Sequence, residues 1–185
     1  MATKDLRLPP QDLEAEQSVL GALMIDKDAM SSVSDLLLPS DFYKKAHALI
    51  FEAFLRLWES REPIDVLTAT TELKRTNHLK EIGGSGYLSE LVNSVPTATH
   101  VNHYAKIVKE RSILRDLINA SSEITANVFE SSEDLDDLLD RVEQRIFSIS
   151  QRSIVRNFVP IREDLQEAIQ RIERLHHGEG ERLRG

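Results

Sequence analysis

Apolar residues recur at steps of three and four along almost the whole chain, and that spacing predicts helices with short breaks between them. Pro9 and Pro10 precede a first helix in which Leu13, Val19, Leu20, Leu23 and Met24 share a face, with Asp12 placed to cap it. A shorter helix over "DKDAMSSVSDLL" stops at Pro39. The third is expected to start at Ser40 or Asp41 as cap and to run to about Arg61. Its core stripe is Phe42, Ala46, Leu49, Ile50, Ala53, Phe54 and Leu57. Pro63 breaks the chain, and "IDVLTATTELKRTN" reads as a fourth helix capped near Asp65. Asn77 and Gly83-Gly84 bracket a turn, and a short helix over "GYLSELVNSV" ends at Pro96.

Beyond Pro96 the pattern lengthens. From Thr97 to about Phe129 there is no Gly or Pro. Ile107, Leu114, Ser121 and Val128 lie seven apart, and Leu117 and Ile124 hold the matching second row, broken by Glu110. After the turn "ESSED", where Ser131 and Asp134 form an [ST]-x-x-[DE] cap, a second helix runs to about Ser150. It carries Leu135, Leu138, Val142, Ile146 and Ile149 on one face, so the two predict an antiparallel hairpin. "SQRSIVRNFVP" reads as a linker. Next, Ile161, Leu165, Ala168, Ile172 and Leu175 make the most regular stripe of the chain. A lone helix of that length is marginal in water, so it needs a surface to dock on, either another chain or its own domain.

The expectation is therefore all-α: a small helical globular head over 1–96, a protruding antiparallel helical hairpin over 97–150, a linker over 151–160, an amphipathic docking helix over 161–177, and a connecting segment over 178–185. Composition changes this little. The 185 residues are 41% hydrophobic and 29% charged, enough for a packed core. With no cysteine there is no disulfide framework and no thiolate metal site, which suits a reducing, cytoplasmic setting. No signal-like h-region and no apolar run of membrane-spanning length occurs, so no membrane partner is expected. A net charge of −8 argues against a large nucleic-acid footprint and favours protein partners.

Catalytic chemistry is hard to find. "GGSG" before a helix invites a phosphate reading, but no glycine is followed by lysine as a P-loop requires, and no third glycine completes a dinucleotide fingerprint. A tight corner is the better reading, glycine being the residue that adopts positive φ at little cost. His100 and His103 share a face without the further ligands a zinc site needs. The acids Glu130, Glu133, Asp134, Asp136, Asp137, Asp140 and Glu143 lack a calcium-loop pattern and fit the dipole of a helix start. No G-x-S-x-G frames a nucleophile. No catalytic, cofactor-binding or metal-ligating residue is assigned.

An ordered set of motifs does carry a resemblance. "LPPQDLEAEQSVLGALMID" leads it. "DFYKKAHALIFEA" follows with Phe42-Tyr43, His47 and Ile50-Phe51, then "PIDVLT". The last piece is "IGGSGYLSELVNSVPTATHVNHYAKIVKERSILRDLI", with Gly83-Gly84, Tyr87-Leu88, Pro96, Tyr104-Ala105, Glu110 and Arg115. Together these resemble the N-terminal part of the bacterial replicative DNA helicase family, DnaB, over nearly the whole chain. The resemblance implies a helical collar of six copies arranged as a trimer of dimers, with hairpins paired between subunits. It implies a linker helix, here Ile161, Leu165, Ile172 and Leu175, docked on a neighbouring ATPase domain.

The resemblance further implies primase, through its C-terminal helical domain, and a helicase loader as partners. Tyr87, Ile118 and Ile124 are the candidate primase contacts. In the family a RecA-like domain bearing ATP, magnesium and most DNA contacts follows, and the chain stops at "ERLRG", where that domain is expected to begin. The parent would be an ATP-dependent helicase moving 5′ to 3′, and this chain by itself would be non-catalytic. The alternative reading is a nucleic-acid-binding module on the displaced strand, using Lys106, Lys109, Arg111 and Arg115.

Overall fold

A computed structural model describes residues 8–26, 28–95, 100–130 and 134–153. These belong to the first of two units into which the chain divides, Met1–Ser153 and Ile154–Gly185. All regular structure among the described residues is helical: α1 (Leu13–Ile25), α2 (Ala29–Leu36), α3 (Lys45–Glu59), α4 (Val66–Arg75), α5 (Ser85–Ser94), α6 (Val101–Glu130) and α7 (Leu135–Ser153). The all-α expectation holds. The hairpin's second helix continues to Ser153, so 151–153 extend α7 where a linker was expected. The rest of 151–160, the docking helix over 161–177 and the segment 178–185 lie outside the described residues.

Local chemistry explains most helix ends. Asp12 accepts the Ala15 N–H at 3.0 Å and starts α1. Asp65 accepts from Leu67 and Thr68, while Thr68 Oγ1 accepts the Asp65 N–H, a reciprocal box that starts α4. Asp134 takes the Leu135 N–H at the start of α7, and its proposed partner Ser131 lies outside the described residues. Past α3 and α4 the chain turns through Arg61 and Asn77, both at positive φ. There the Glu62 and His78 N–H groups close back on Leu57 and Leu73.

The start of α3 departs from expectation. Pro39–Asp41 forms a separate 3₁₀ turn, and α3 begins only at Lys45. Neither Ser40 nor Asp41 caps it. Proline at the first position favours a tight turn that closes on itself, with the Asp41 carboxylate accepting the Leu38 N–H at 2.8 Å. The exposed N–H groups ahead of α3 are met from another helix instead. Glu16 of α1 accepts Tyr43 N–H at 2.7 Å and, more weakly, Lys44 N–H at 3.4 Å.

One core joins α1 to α5 and the first half of α6. Leu20, Leu23, Met30, Ile50, Phe51, Phe54, Leu73, Leu88 and Leu91 are among its fully buried side chains. The third-helix stripe is buried as expected, with Leu49 only partly so, and Phe51 joins it, its ring 5.0 Å from that of Phe42. Leu13 is the exception on α1, facing water. Gly21 lets α1 approach α5 so closely that a Cβ there would sit 2.3 Å from the Leu91 carbonyl oxygen.

On the other side of the head, Glu72 of α4 accepts both Nε and Nη2 of Arg75 at 2.8 Å, with Arg56 of α3 at 3.6 Å. The Arg75 hydrogen bonds, then the Arg75 and Arg56 charges, hold the Glu72 carboxyl below its ordinary 4.5 against the opposing pull of burial. A depressed folded pKa stabilises the fold above the unfolded value and loses that contribution as pH falls through the folded one. Urea midpoints should therefore drop as pH falls below the ordinary 4.5. The drop should be smaller in Glu72→Gln. Equal drops in both chains would assign acid sensitivity to other carboxylates.

Candidate interaction surface

α6 is shared between two environments. Its first half lies in the head, where Val101, Ala105, Val108, Lys109 and Ser112 are buried. Its second half carries α7, with Ala120 and Ile149 buried between them. Ile124 and Val142 line the crevice between the two helices, flanked by Glu123, Asn127, Arg141 and Arg145.

Both hairpin helices also leave large apolar side chains exposed to water. On α6, Ile118 is 51% exposed and Phe129 85%, with Leu114, Leu117 and Val128 also open to water. On α7, Leu135, Leu139, Ile146 and Phe147 are exposed. Two of the three seven-residue apolar positions, Leu114 and Val128, thus lie on a face that is open to water and packs on no other helix among the described residues. Isolated surface leucines are ordinary, but so many along one hairpin make a large exposed apolar surface.

Two polar networks fix this arm and the head beneath it. In the first, the buried Asp41 carboxylate accepts Lys109 Nζ at 3.0 Å, Ser112 Oγ at 2.7 Å and an Arg152 guanidinium nitrogen at 2.6 Å. Arg152 also pairs with Asp116. Arg115 donates to the backbone oxygens of Pro10 at 2.8 Å and Asp41 at 2.5 Å. Two of the four basic side chains that suggested a nucleic-acid groove, Lys109 and Arg115, are thus occupied inside the fold. That weakens the alternative reading.

The second network joins α1, α3 and α5. His47 is fully buried; its Nδ1 lies 2.6 Å from Glu16 Oε2 and its Nε2 2.6 Å from the Tyr87 hydroxyl. A carboxylate only accepts, so Nδ1 carries the proton. Lys44 Nζ also donates to the Tyr87 oxygen, at 2.9 Å. Tyr87 therefore stands at the rim of the head with its hydroxyl committed within the chain. Tyr87→Phe keeps the ring and strands a buried imidazole nitrogen, for an expected cost of about 1–2 kcal/mol in equilibrium urea unfolding. A loss near zero would show that water replaces the hydroxyl.

The structure does not bring the sequence candidates into one patch. Ile118 is on the exposed outer side, Ile124 faces the inter-helix crevice, and Tyr87 belongs to the head network. Ile161, Leu165, Ile172 and Leu175 lie outside the described residues. Sequence reading missed Glu16, His47, Asp41 and Arg152 as a set. The signal was present in Glu16 and His47 as polar residues inside apolar stripes, but their pairing spans 31 positions.

The glycine corner is a corner. Gly83 and Gly84 have φ of 100° and 81°, and α5 starts at Ser85 after a turn and not after a strand. Among the described residues no group of three or more His, Asp or Glu side chains is placed to hold a metal ion, and no helix is long and apolar enough to cross a membrane.

Residues 8–110 match the family model described as the DnaB-like helicase N-terminal domain. The chain is 44% identical to the replicative DNA helicase DnaB of Geobacillus stearothermophilus over 175 residues, 95% of this chain and 38% of that protein. It is 42% identical to the replicative DNA helicase DnaC of Bacillus subtilis over the same shares. The chain thus spans well under half the length of these curated relatives. The crystal structure of the N-terminal domain of DnaB helicase from Mycobacterium tuberculosis superposes with a TM-score of 0.73 at 40% identity, covering 76% of this chain and 99% of that one. A DnaB-like replicative helicase, described with its interactions with primase, shares the fold at a TM-score of 0.61 and 24% identity, over 84% of this chain and 35% of that one.

Proposed function

Because the chain belongs to the DnaB-like helicase N-terminal domain family, we propose that it is the collar and scaffold of a replicative DNA helicase, assembling the ring and receiving primase. The observation that carries this reading is the uncovered apolar side of the hairpin, Leu114, Leu117, Ile118 and Phe129 on α6 with Ile146 and Phe147 on α7. Such a face is stable in water when a second helical surface covers it, and apolar burial is worth about 25 cal/mol per Å². The first cover is a second copy of the chain, giving dimers that build a trimer of dimers. The next is the C-terminal helical domain of primase, a partner named for a helicase of this fold. A helicase loader is a further proposed partner.

ATP and magnesium, 5′ to 3′ translocation and most DNA contact are assigned to the remaining length of such a helicase. There the segment bearing Ile161, Leu165, Ile172 and Leu175 would dock on a neighbouring ATPase domain. The test is solution mass by light scattering over a dilution series, with and without the primase C-terminal domain. Dimers or hexamers that gain mass with primase are expected, and Ile118→Asp should reduce both effects. A strict monomer indifferent to primase would overturn the scaffold role for this chain.

A further inference from the structure

We infer that Arg152 is a releasable latch that holds the last turn of α7 against the head and, when it opens, frees residues 150–153 to unwind. The inference rests on the geometry of the Asp41 cluster and not on the scaffold reading above.

Arg152 is the point where α7, which otherwise packs on α6, is tied by hydrogen bonds to the 3₁₀ turn of the head. Its guanidinium spans two carboxylates, Asp41 of that turn at 2.6 Å and Asp116 of α6. A planar fork suits two acceptors at once, which lysine cannot match. The two ends of the cluster differ in burial. Asp41 is fully buried and the Lys109 side chain is 8% exposed, whereas Arg152 is 33% exposed and Asp116 22%.

That difference makes the contact reversible. When Arg152 leaves, Asp41 keeps Lys109, Ser112 and the Leu38 N–H, so no buried charge is stranded. Arg152 and Asp116 are both open enough to be rehydrated. Lys109 could not leave on such terms, because its own ammonium is buried, 8% exposed, and has no water to take the place of the carboxylate. The cluster therefore has a permanent half and a releasable half.

The extent of release is set by Ile149, which is 3% exposed and anchors the preceding turn on α6. Only residues 150–153 are free to unwind. Four residues passing from helical to extended backbone add about 7 Å of reach, from rises of roughly 1.5 and 3.3 Å per residue. The occupant of the latch is thus this chain's own arginine, and its effect is a change in the reach of residues 150–153.

Hydrogen exchange on the full chain reads this directly. In Arg152→Gln, amides of residues 150–153 should exchange on the order of tenfold faster, with head and mid-hairpin amides unchanged. Arg152→Lys should fall between the two. About 1 M salt, where the Debye length is roughly 3 Å, should move the wild-type last turn toward the variant while Lys109 stays paired. Arg145→Gln, which removes a 3.3 Å surface pair to Glu123, should leave the last turn alone. Unchanged exchange in Arg152→Gln would overturn the latch. So would acceleration spread evenly through α6, α7 and the head, which would make Arg152 a general staple.

Discussion

Replacing Asp41 by alanine is expected to cost the chain about 3–5 kcal/mol, the range for removing one partner of a buried ion pair. The carboxylate is wholly buried and answers four donors: the Leu38 N–H, Lys109, Ser112 and Arg152. Alanine leaves the Lys109 ammonium in the interior with no counter-charge and undoes the 3₁₀ turn. Arg152→Ala removes a more exposed member and should cost much less, on the order of 1 kcal/mol. Equilibrium urea unfolding measures both. A loss under about 1 kcal/mol in Asp41→Ala would mean that water or a neighbouring carboxylate takes over Lys109. Asp41→Asn separates charge from shape, since the amide keeps acceptor geometry and loses the countercharge.

Gly21→Ala should be nearly as damaging, at about 3 kcal/mol, the upper end for overpacking. Two effects oppose each other. Alanine is the better helix former by about 1 kcal/mol, and on an exposed helix the substitution would stabilise. Here the new methyl carbon would lie 2.3 Å from the Leu91 carbonyl oxygen and 2.6 Å from Val95 Cγ2. The first of these is backbone, which cannot swing aside, so α1 and α5 must separate. That separation would also pull Glu16 and Gln17 on α1 away from the Tyr87 system on α5. A fall in thermal midpoint accompanied by new dye-accessible apolar surface is the expected signature. A midpoint at or above wild type would show that the helices part without loss.

The helices and the core were legible because periodicity reports which side of a helix is apolar. Phe42, Ile50, Phe54 and Leu57 needed nothing more than spacing. The start of α3 was misread for a definite reason. Ser and Asp before an apolar run are good caps locally, but Pro39 closes a turn around Asp41, and a carboxylate from α1 supplies the missing acceptor. Contacts of that kind join positions far apart in the chain and leave no periodic trace. Arg152 was hidden for the opposite reason: "SQRS" has no apolar stripe, so nothing in it announces a helix held by one charged side chain. The hairpin stripe was legible as a stripe. Its exposure was not, since spacing says that Leu114 and Val128 share a face and is silent on what faces them.

The sharing of α6 between head and hairpin has a mechanical consequence. Val101–Glu130 is one unbroken helix of 30 residues, held in the head along its first half and braced only by α7 along its second. From Ser112 to the tip it projects about 27 Å at 1.5 Å per residue. A beam held that way converts rotation at its socket into travel at its end. A 10° tilt of the helix in the head, brought about by any partner pressing on α1 or α2, would carry Phe129 through roughly 5 Å, about one helical turn. The head then acts as a fulcrum, and the position of the arm's end is set by small angles at its root.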